Sequence, residues 1–231
     1  MSRARWVPAF TARWEGWRRL VRDLVVIQAG FALYGLAIDL LVRSRLGTSS
    51  WVVLEAGITN HVPITLGQSV IAVSVLLILV VVPCREPIGW GTLANMIFIG
   101  VWVDLWRPLV PATPDELTPG ALTVRLSYLA LAVLTMGFAT GIYVGVRAGA
   151  GPRDSLMLAV ARLAGISVRL SRTLIEVTVV ALGWLLGGPV GVGTVVFAVT
   201  IGPSVQFAFR VLHVEPDPRR PAGSHRRTGS G

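Results

Sequence analysis

The sequence predicts an all-α, polytopic transmembrane helical bundle of two homologous halves, with about six long spans and two short half-helices. Three observations carry that prediction. Hydrophobic residues make up 53% of the 231 positions and charged residues only 14%. An ordinary soluble domain carries about 25% charged residues, so a soluble chain of this composition would lack the polar surface to cover itself. The apolar residues fall into six runs of near bilayer-crossing length. One short turn motif also occurs twice, just over 100 residues apart.

The elements follow in chain order. Residues 1–23 form a basic leader expected on the cytoplasmic side. Trp6, Phe10, Trp14, Trp17 and Val21 recur at helical spacing beside Arg13, Arg18, Arg19 and Arg22, the pattern of an amphipathic helix lying among headgroups. The alternative is a frayed basic leader that only sets topology. The stretch lacks the apolar core and small-residue cleavage site of a signal peptide. Six runs follow: Leu24–Val42, Leu66–Val82, Thr92–Val110, Leu122–Val146, Leu170–Leu186 and Val190–Leu212. Each approaches the roughly 20 residues that cross hydrocarbon. Backbone groups in lipid must be satisfied within their own segment, so the runs are expected to be helices. Residues 24–110 then make a first membrane repeat, 111–121 a connecting loop and 122–213 a second repeat. The tail, 214–231, is rich in Pro, Gly, Ser and Arg and reads as disordered.

Two shorter segments interrupt the long runs. Gly47–Val62 contains Glu55, Asn60 and His61, and Gly151–Ile166 contains Arg153, Asp154 and Arg162. Each is too short or too polar for a clear span. Ser49 and Ser50 in one, and Asp154 in the other, are good N-cap residue types.

Positive-inside bias places both chain ends in the cytoplasm, which requires an even number of crossings. With six crossings the loop Pro108–Pro119, with Asp115 and Glu116, faces outside; Arg43 and Arg45 then fall on the wrong side. If both short segments cross, there are eight spans and the middle loop moves inside.

The repeat is carried by Pro87-Ile88-Gly89-Trp90-Gly91-Thr92-Leu93 and Pro189-Val190-Gly191-Val192-Gly193-Thr194-Val195. Gly100 matches Gly202 at the same offset. Upstream, a two-residue gap brings Leu66 onto Leu170 and Gly47 onto Gly151. Three crossings per half would invert the second half in the membrane. Inverted repeats with short interrupted segments at matching positions are a transporter architecture, and such segments point to the binding site.

These residues resemble a family. Gly47-Thr48-Ser49-Ser50-Trp51, its counterpart Gly151-Pro152-Arg153-Asp154-Ser155, and the paired P-x-G-x-G-T turns look like those of the YczE/YitT-type bacterial integral membrane proteins. The resemblance spans about Leu24–Leu212. It implies a multi-pass protein of the bacterial plasma membrane; its members are largely uncharacterised, so it brings no activity and no catalytic residues.

The candidate site is read from the short segments. A helix N-terminus presents free amides and partial positive charge and can hold an anion. Gly47, Ser49, Ser50 and Gly151 supply close-approach backbone and hydroxyls, while Arg147 and Arg153 add bidentate donors and Asp154 a cap. The competing reading is that these residues only cap interfacial helices. Glu176 lies within an apolar run, where a charge needs a partner or a wet cavity. It either carries a coupling proton or pairs with Arg172 one turn earlier. Gly137, Gly141, Gly145 and Gly149 form a small-residue stripe suited to close helix packing, internal to the chain or, alternatively, in a homodimer or against a partner membrane protein. Trp102 and Trp106 have the look of an interfacial belt.

The single Cys84 excludes an intramolecular disulfide, and three scattered His make no metal pattern. No nucleophile–base constellation is visible, so no enzyme activity and no cofactor is expected. The net charge of +9, from basic residues that are all Arg, is assigned to lipid contact rather than nucleic acid. The expected function is a transporter or permease of a small solute, with an anion favoured. The alternative is a non-transporting accessory or scaffold protein.

Overall fold

The computed structural model describes residues 14–84, 89–145 and 151–214. Eight α-helices occur among them: α1 Trp14–Ser44, α2 Ser50–Thr59, α3 Leu66–Val81, α4 Trp90–Trp106, α5 Pro119–Gly145, α6 Pro152–Ala164, α7 Val168–Leu185 and α8 Val192–Val211. A 3-10 turn, Val82–Cys84, follows α3. The first part of the leader and the tail from 215 onward lie outside the described residues. From Trp14 the chain is helical without a break to Ser44, so the end of the leader continues directly into the first long helix.

Four helical stretches are long and apolar enough to cross a membrane: Val21–Ser44, Leu66–Cys84, Pro119–Gly145 and Val192–Val211. Two more helices coincide with apolar runs but fall short of that standard. α4 has only 17 residues, and α7 carries Arg169, Arg172 and Glu176. Outward faces remain apolar, with Val177, Val195 and Val199 each more than 60% exposed, as expected where lipid replaces water.

Helix ends follow local chemistry. Thr65 and Gln68 form a capping box on α3, Gln68 N donating to Thr65 Oγ1 at 3.1 Å and Thr65 N to Gln68 Oε1 at 3.0 Å. Ser167 Oγ accepts from Leu170 N at 3.2 Å at the start of α7. The P-x-G-x-G-T turns are helix starts: Gly89 N donates to Thr92 Oγ1 at 3.3 Å, and Gly191 N to Thr194 Oγ1 at 3.2 Å. The threonine is thus the reaching-back half of a capping box. Two of the expected caps differ. Ser49 holds the N-cap position of α2, yet its hydroxyl makes no capping bond. The N-cap of α6 is Gly151, not Asp154, which falls in the first turn.

Helix directions can be read from paired contacts. Trp102 Nε1 donates to Gln28 Oε1 at 3.2 Å, Trp106 Nε1 to the Ala32 carbonyl at 2.8 Å, and Arg107 reaches Asp39 at 3.5 Å. The numbers rise together, so α1 and α4 are parallel. Both indoles are half-buried against α1, which replaces the expected interfacial belt. Gly137 packs on Ser204, Gly141 on Ala208 and Leu212, and Gly145 on Val214. α5 and α8 are therefore also parallel, and the described part of the glycine stripe is an internal seam filled by α8. α3 runs against α4, with Gly67 N donating to Asp104 Oδ1 at 2.9 Å. α1 and α5 are antiparallel, Gly30 meeting Ile142 and Tyr143 while Thr113 Oγ1, near the start of α5, donates to the Arg43 carbonyl at 2.7 Å.

The core has two parts. Phe31, Ile38, Leu41, Val103, Ala132 and Met136 join α1, α4 and α5, with Phe197 of α8. Trp51, Val73, Leu77 and Val179 join α2, α3 and α7, with Leu156 of α6 against them. Several contacts recur at one spacing. Ser69 Oγ donates to the Glu55 carbonyl and Ser171 Oγ to the Met157 carbonyl, both at 2.8 Å. Gly35 packs on Trp102 as Gly137 packs on Ser204. Each position in these pairs differs from its counterpart by 102 residues. This spacing is the same as that between the paired P-x-G-x-G-T turns. Apolar helical runs match one another at many offsets, whereas a serine bonded to one particular carbonyl matches at one.

Candidate functional site

The site is built where the two short helices begin. After α1 the chain turns back through Arg45–Ser49 and enters α2. Gly47 has φ +110°, a left-handed conformation that favours glycine. A Cβ there would stand 2.6 Å from Gly191 N and Thr194 Oγ1. Around it, Thr48 N donates to the Pro189 carbonyl at 3.2 Å and Gly193 N to the Leu46 carbonyl at 2.6 Å. Gly47 therefore locks the α1–α2 loop to the start of α8; it does not line the cavity.

Beyond this lock lies a cavity of about 580 Å³, within the usual range of small-molecule sites. Ser49, Ser50 and Trp51 of α2 line it together with Gly151, Arg153 and Asp154 of α6. Tyr34 of α1 and Tyr143 of α5 contribute an edge-to-face aromatic pair, 6.4 Å between centroids. Asn95 of α4, Arg172 and Glu176 of α7 and Gln206 of α8 complete its polar wall. Tyr34 lies within α1 and Tyr143 two residues before the last residue of α5, and the starts of both short helices line the same cavity. Of the residues expected in a site, Ser49, Ser50, Gly151, Arg153, Asp154 and Glu176 thus share one cavity. Arg147 lies outside the described residues.

The charges are arranged in pairs. Arg153 donates to Glu55 Oε1, and its guanidinium lies 5.2 Å from the centroid of the Trp51 ring. Glu55 is fully buried, and its second oxygen has no partner. Arg153 thus stands between this carboxylate and the cavity. Arg172 Nε bonds Glu176 Oε1 at 2.9 Å, which is the i,i+4 pair expected on one helix face. Asp154, exposed at the cavity wall, forms no ion pair among the described residues, and the Arg172 and Arg153 charges lie near it. The indole nitrogen of Trp51, a residue 7% exposed, is also unpartnered.

Sequence reasoning did not select Glu55, Trp51, Tyr34 or Tyr143. Glu55 had a signal: it is the one acidic residue in α2, Ser-Trp-Val-Val-Leu-Glu-Ala-Gly-Ile-Thr, and a carboxylate in so apolar a helix demands a partner. The tyrosines had none, since their meeting depends on how α1 crosses α5.

The profile of the family described as "Family of unknown function (DUF6198)" matches residues 21–210. The chain belongs to this family. It is 33% identical over 196 residues to an uncharacterized protein of Haemophilus influenzae, covering 85% of this chain and 87% of that one. It is 30% identical over 182 residues to the uncharacterized membrane protein YczE of Bacillus subtilis, covering 78% and 82%. A third relative, the uncharacterized protein YyaS of Bacillus subtilis, is 28% identical over 167 residues, 71% and 81% of the two chains. No solved structure matches. The kinship with YczE and the apolar helices together make this a membrane protein of the YczE type.

Proposed function

We propose that the protein is a small-solute carrier of the plasma membrane, built from two homologous halves of three crossings each and working by alternating access. The observation that carries this reading is a single cavity walled by the first turn of one short helix from each half. Irregular backbone at membrane depth is tolerated where it is buried or lines a water-filled cavity. Helix N-termini converging on such a cavity are how repeat-built carriers bind substrate. A purely scaffolding role would leave these turns dry and packed.

The contacts spaced by 102 residues support a duplication. α1 and α4 are parallel with α3 opposed, so a half makes three crossings and the second half is inverted. Arg43 and Arg45 then sit beside the middle loop, at the end away from both chain termini. There Arg43 pairs with Asp39 at 2.9 Å and Arg45 with Asp115.

The halves are unequal in one respect. At the middle-loop end, α3 closes on α4: Gly67 packs on Gly100, and Asp104 accepts from the Thr65 hydroxyl and the Gly67 amide. The corresponding residues of α7 and α8 are Ser167, Arg169, Gly202 and Gln206. α7 and α8 form no comparable packed seam, and Gly202 has no atom within 4 Å of where its Cβ would stand. Among the described residues α3 is thus closed on α4 toward the middle loop while α7 and α8 are not closed on each other, and the opposite state would close α7 on α8 and part α3 from α4.

In proteoliposomes of a Cys84→Ser protein, Ser49→Cys should react with an impermeant thiol reagent from the terminal side when Thr65→Cys and Asp104→Cys are cross-linked. It should react from the loop side when Ser167→Cys and Gln206→Cys are cross-linked instead. A Ser49→Cys unreachable from either side in both states would end the carrier reading.

A further inference from the structure

Resting on the carrier reading, we infer that the seam between α7 and α8 closes through an ion pair. Arg172 takes Asp154 while it keeps Glu176, at positions where the seam between α3 and α4 uses two valines.

The closed seam supplies the template. Val52 of α2, Leu66 and Val70 of α3, and Ile99 and Val103 of α4 are buried in one core. The positions 102 residues further on are Asp154, Val168, Arg172, Ile201 and Val205. Asp154, Val168 and Arg172 are exposed, and Ile201 and Val205 are half-buried. Val168, Ile201 and Val205 keep the apolar character of their counterparts. The other two positions put a carboxylate and a guanidinium where Val52 and Val70 are at most 1% exposed. Both charged residues line the cavity, as do Gly202, Val205 and Gln206 of α8. Bringing α7 onto α8 as α3 lies on α4 therefore withdraws Asp154 and Arg172 from water.

A charge buried alone is costly, whereas a buried pair is tolerated when its geometry is good and its hydrogen bonds are made. These two groups are placed to pair. The Arg172 charge lies near Asp154, and Asp154 forms no ion pair among the described residues. Only Nε of Arg172 is engaged, by Glu176 Oε1 at 2.9 Å. Its two terminal nitrogens have no partner among the described residues. A guanidinium binds carboxylates through N–H groups on more than one edge, so Arg172 can hold Glu176 on one edge and Asp154 on another. Arg153 is committed elsewhere, because it is the partner of the buried Glu55 carboxylate. The two gates thus differ in kind: valines close the one toward the middle loop, and charges close the one toward the chain ends.

The test uses the full-length Cys84→Ser protein in proteoliposomes. The rate at which Ser167→Cys and Gln206→Cys become disulfide-linked under mild oxidation reads how often α7 closes on α8. Asp154→Asn and Arg172→Gln should each slow that link at least fivefold. The triple variant Asp154→Val, Arg172→Val and Glu176→Ser copies Val52, Val70 and Ser74, and it should link within twofold of the parent rate. The link between Thr65→Cys and Asp104→Cys, on the other seam, should not slow in any of these variants, which shows that each is folded. Single variants that link Ser167→Cys to Gln206→Cys at the parent rate overturn the inference. So does a triple variant as slow as the single ones while its α3–α4 link forms normally. A parent protein that never forms the α7–α8 link overturns the carrier reading as well, whereas a parent that forms it regardless of Asp154 and Arg172 leaves that reading standing.

Discussion

The Glu55–Arg153 pair offers a quantitative test of how the two short helices are joined. The residues are 98 positions apart, on α2 and α6. Two unit charges about 4 Å apart attract by about 4 kcal/mol at an effective dielectric constant near 20. Removing one partner of a buried pair costs about 3–5 kcal/mol, because the other charge is left stranded. The two sides are not equivalent. The Arg153 side chain is 18% exposed and the Glu55 side chain 0%, and Arg153 borders the cavity. After Glu55→Gln, the guanidinium can rehydrate from the cavity and keeps its stacking on Trp51, worth about 1–2 kcal/mol. The loss should lie at or below the lower bound, about 3 kcal/mol. After Arg153→Gln, Glu55 has no route to water and one of its oxygens is already unpartnered, so the loss should approach about 5 kcal/mol. The double variant removes both charges and should be less destabilised than Arg153→Gln alone. Equilibrium unfolding of the four proteins in mixed micelles closes this double-mutant cycle. Additive losses, or a larger loss for Glu55→Gln than for Arg153→Gln, would refute the view that a sealed carboxylate is held from the cavity side.

Three further outcomes are expected. Gly35→Ala should destabilise by about 1–3 kcal/mol, because its Cβ would stand 2.8 Å from Trp102 Cβ and 2.9 Å from Val103 N; Gly202→Ala, in open space, should be neutral or gain up to about 1 kcal/mol of helix propensity; thermal denaturation of the two variants measures the contrast. Ser69→Ala and Ser171→Ala should each cost about 1 kcal/mol and match within experimental error, since the bonds they remove have the same length and span the same 14 residues; a severalfold difference in denaturant titration would argue that the two positions are not equivalent. Trp106→Phe keeps most of the ring but removes the donor to the Ala32 carbonyl, so it should cost about 1 kcal/mol and blue-shift no other tryptophan; a loss of the α1–α4 contact, seen as increased proteolysis, would mean the indole does more than bond.

Much of the molecule is legible in its residues taken in order. Apolar runs mark the long helices to within a few residues, apart from the start of α1, which lies ten residues before its run, because a segment in lipid must satisfy its own backbone and so must be helical. The threonines of the paired turns, Thr92 and Thr194, mark helix starts because a cap is a contact between near neighbours in sequence. The short interrupted segments mark the two stretches that reach the cavity, and Ser49, Ser50, Arg153 and Asp154 were named from them. The cap assignments show the limit of such reasoning. Asp154 is a good cap by type, but Pro152 can start the helix, and so Gly151 takes the cap.

Tertiary structure decided everything that joins distant positions. That Glu55 meets Arg153, that Tyr34 meets Tyr143, and that the glycine stripe of α5 is covered by α8 all depend on where helices cross. Helix crossings are set by the summed packing of many small contacts, and no short motif records that sum. The same cause hid the spacing of 102 residues between the Ser69 and Ser171 contacts: apolar side chains are interchangeable in a match of sequences, but a serine hydroxyl must find one carbonyl. It also hid the inequality of the two seams, since Gly100 and Gly202 are the same residue, and only the packing of α3 on α4, without a like seam between α7 and α8, sets them apart.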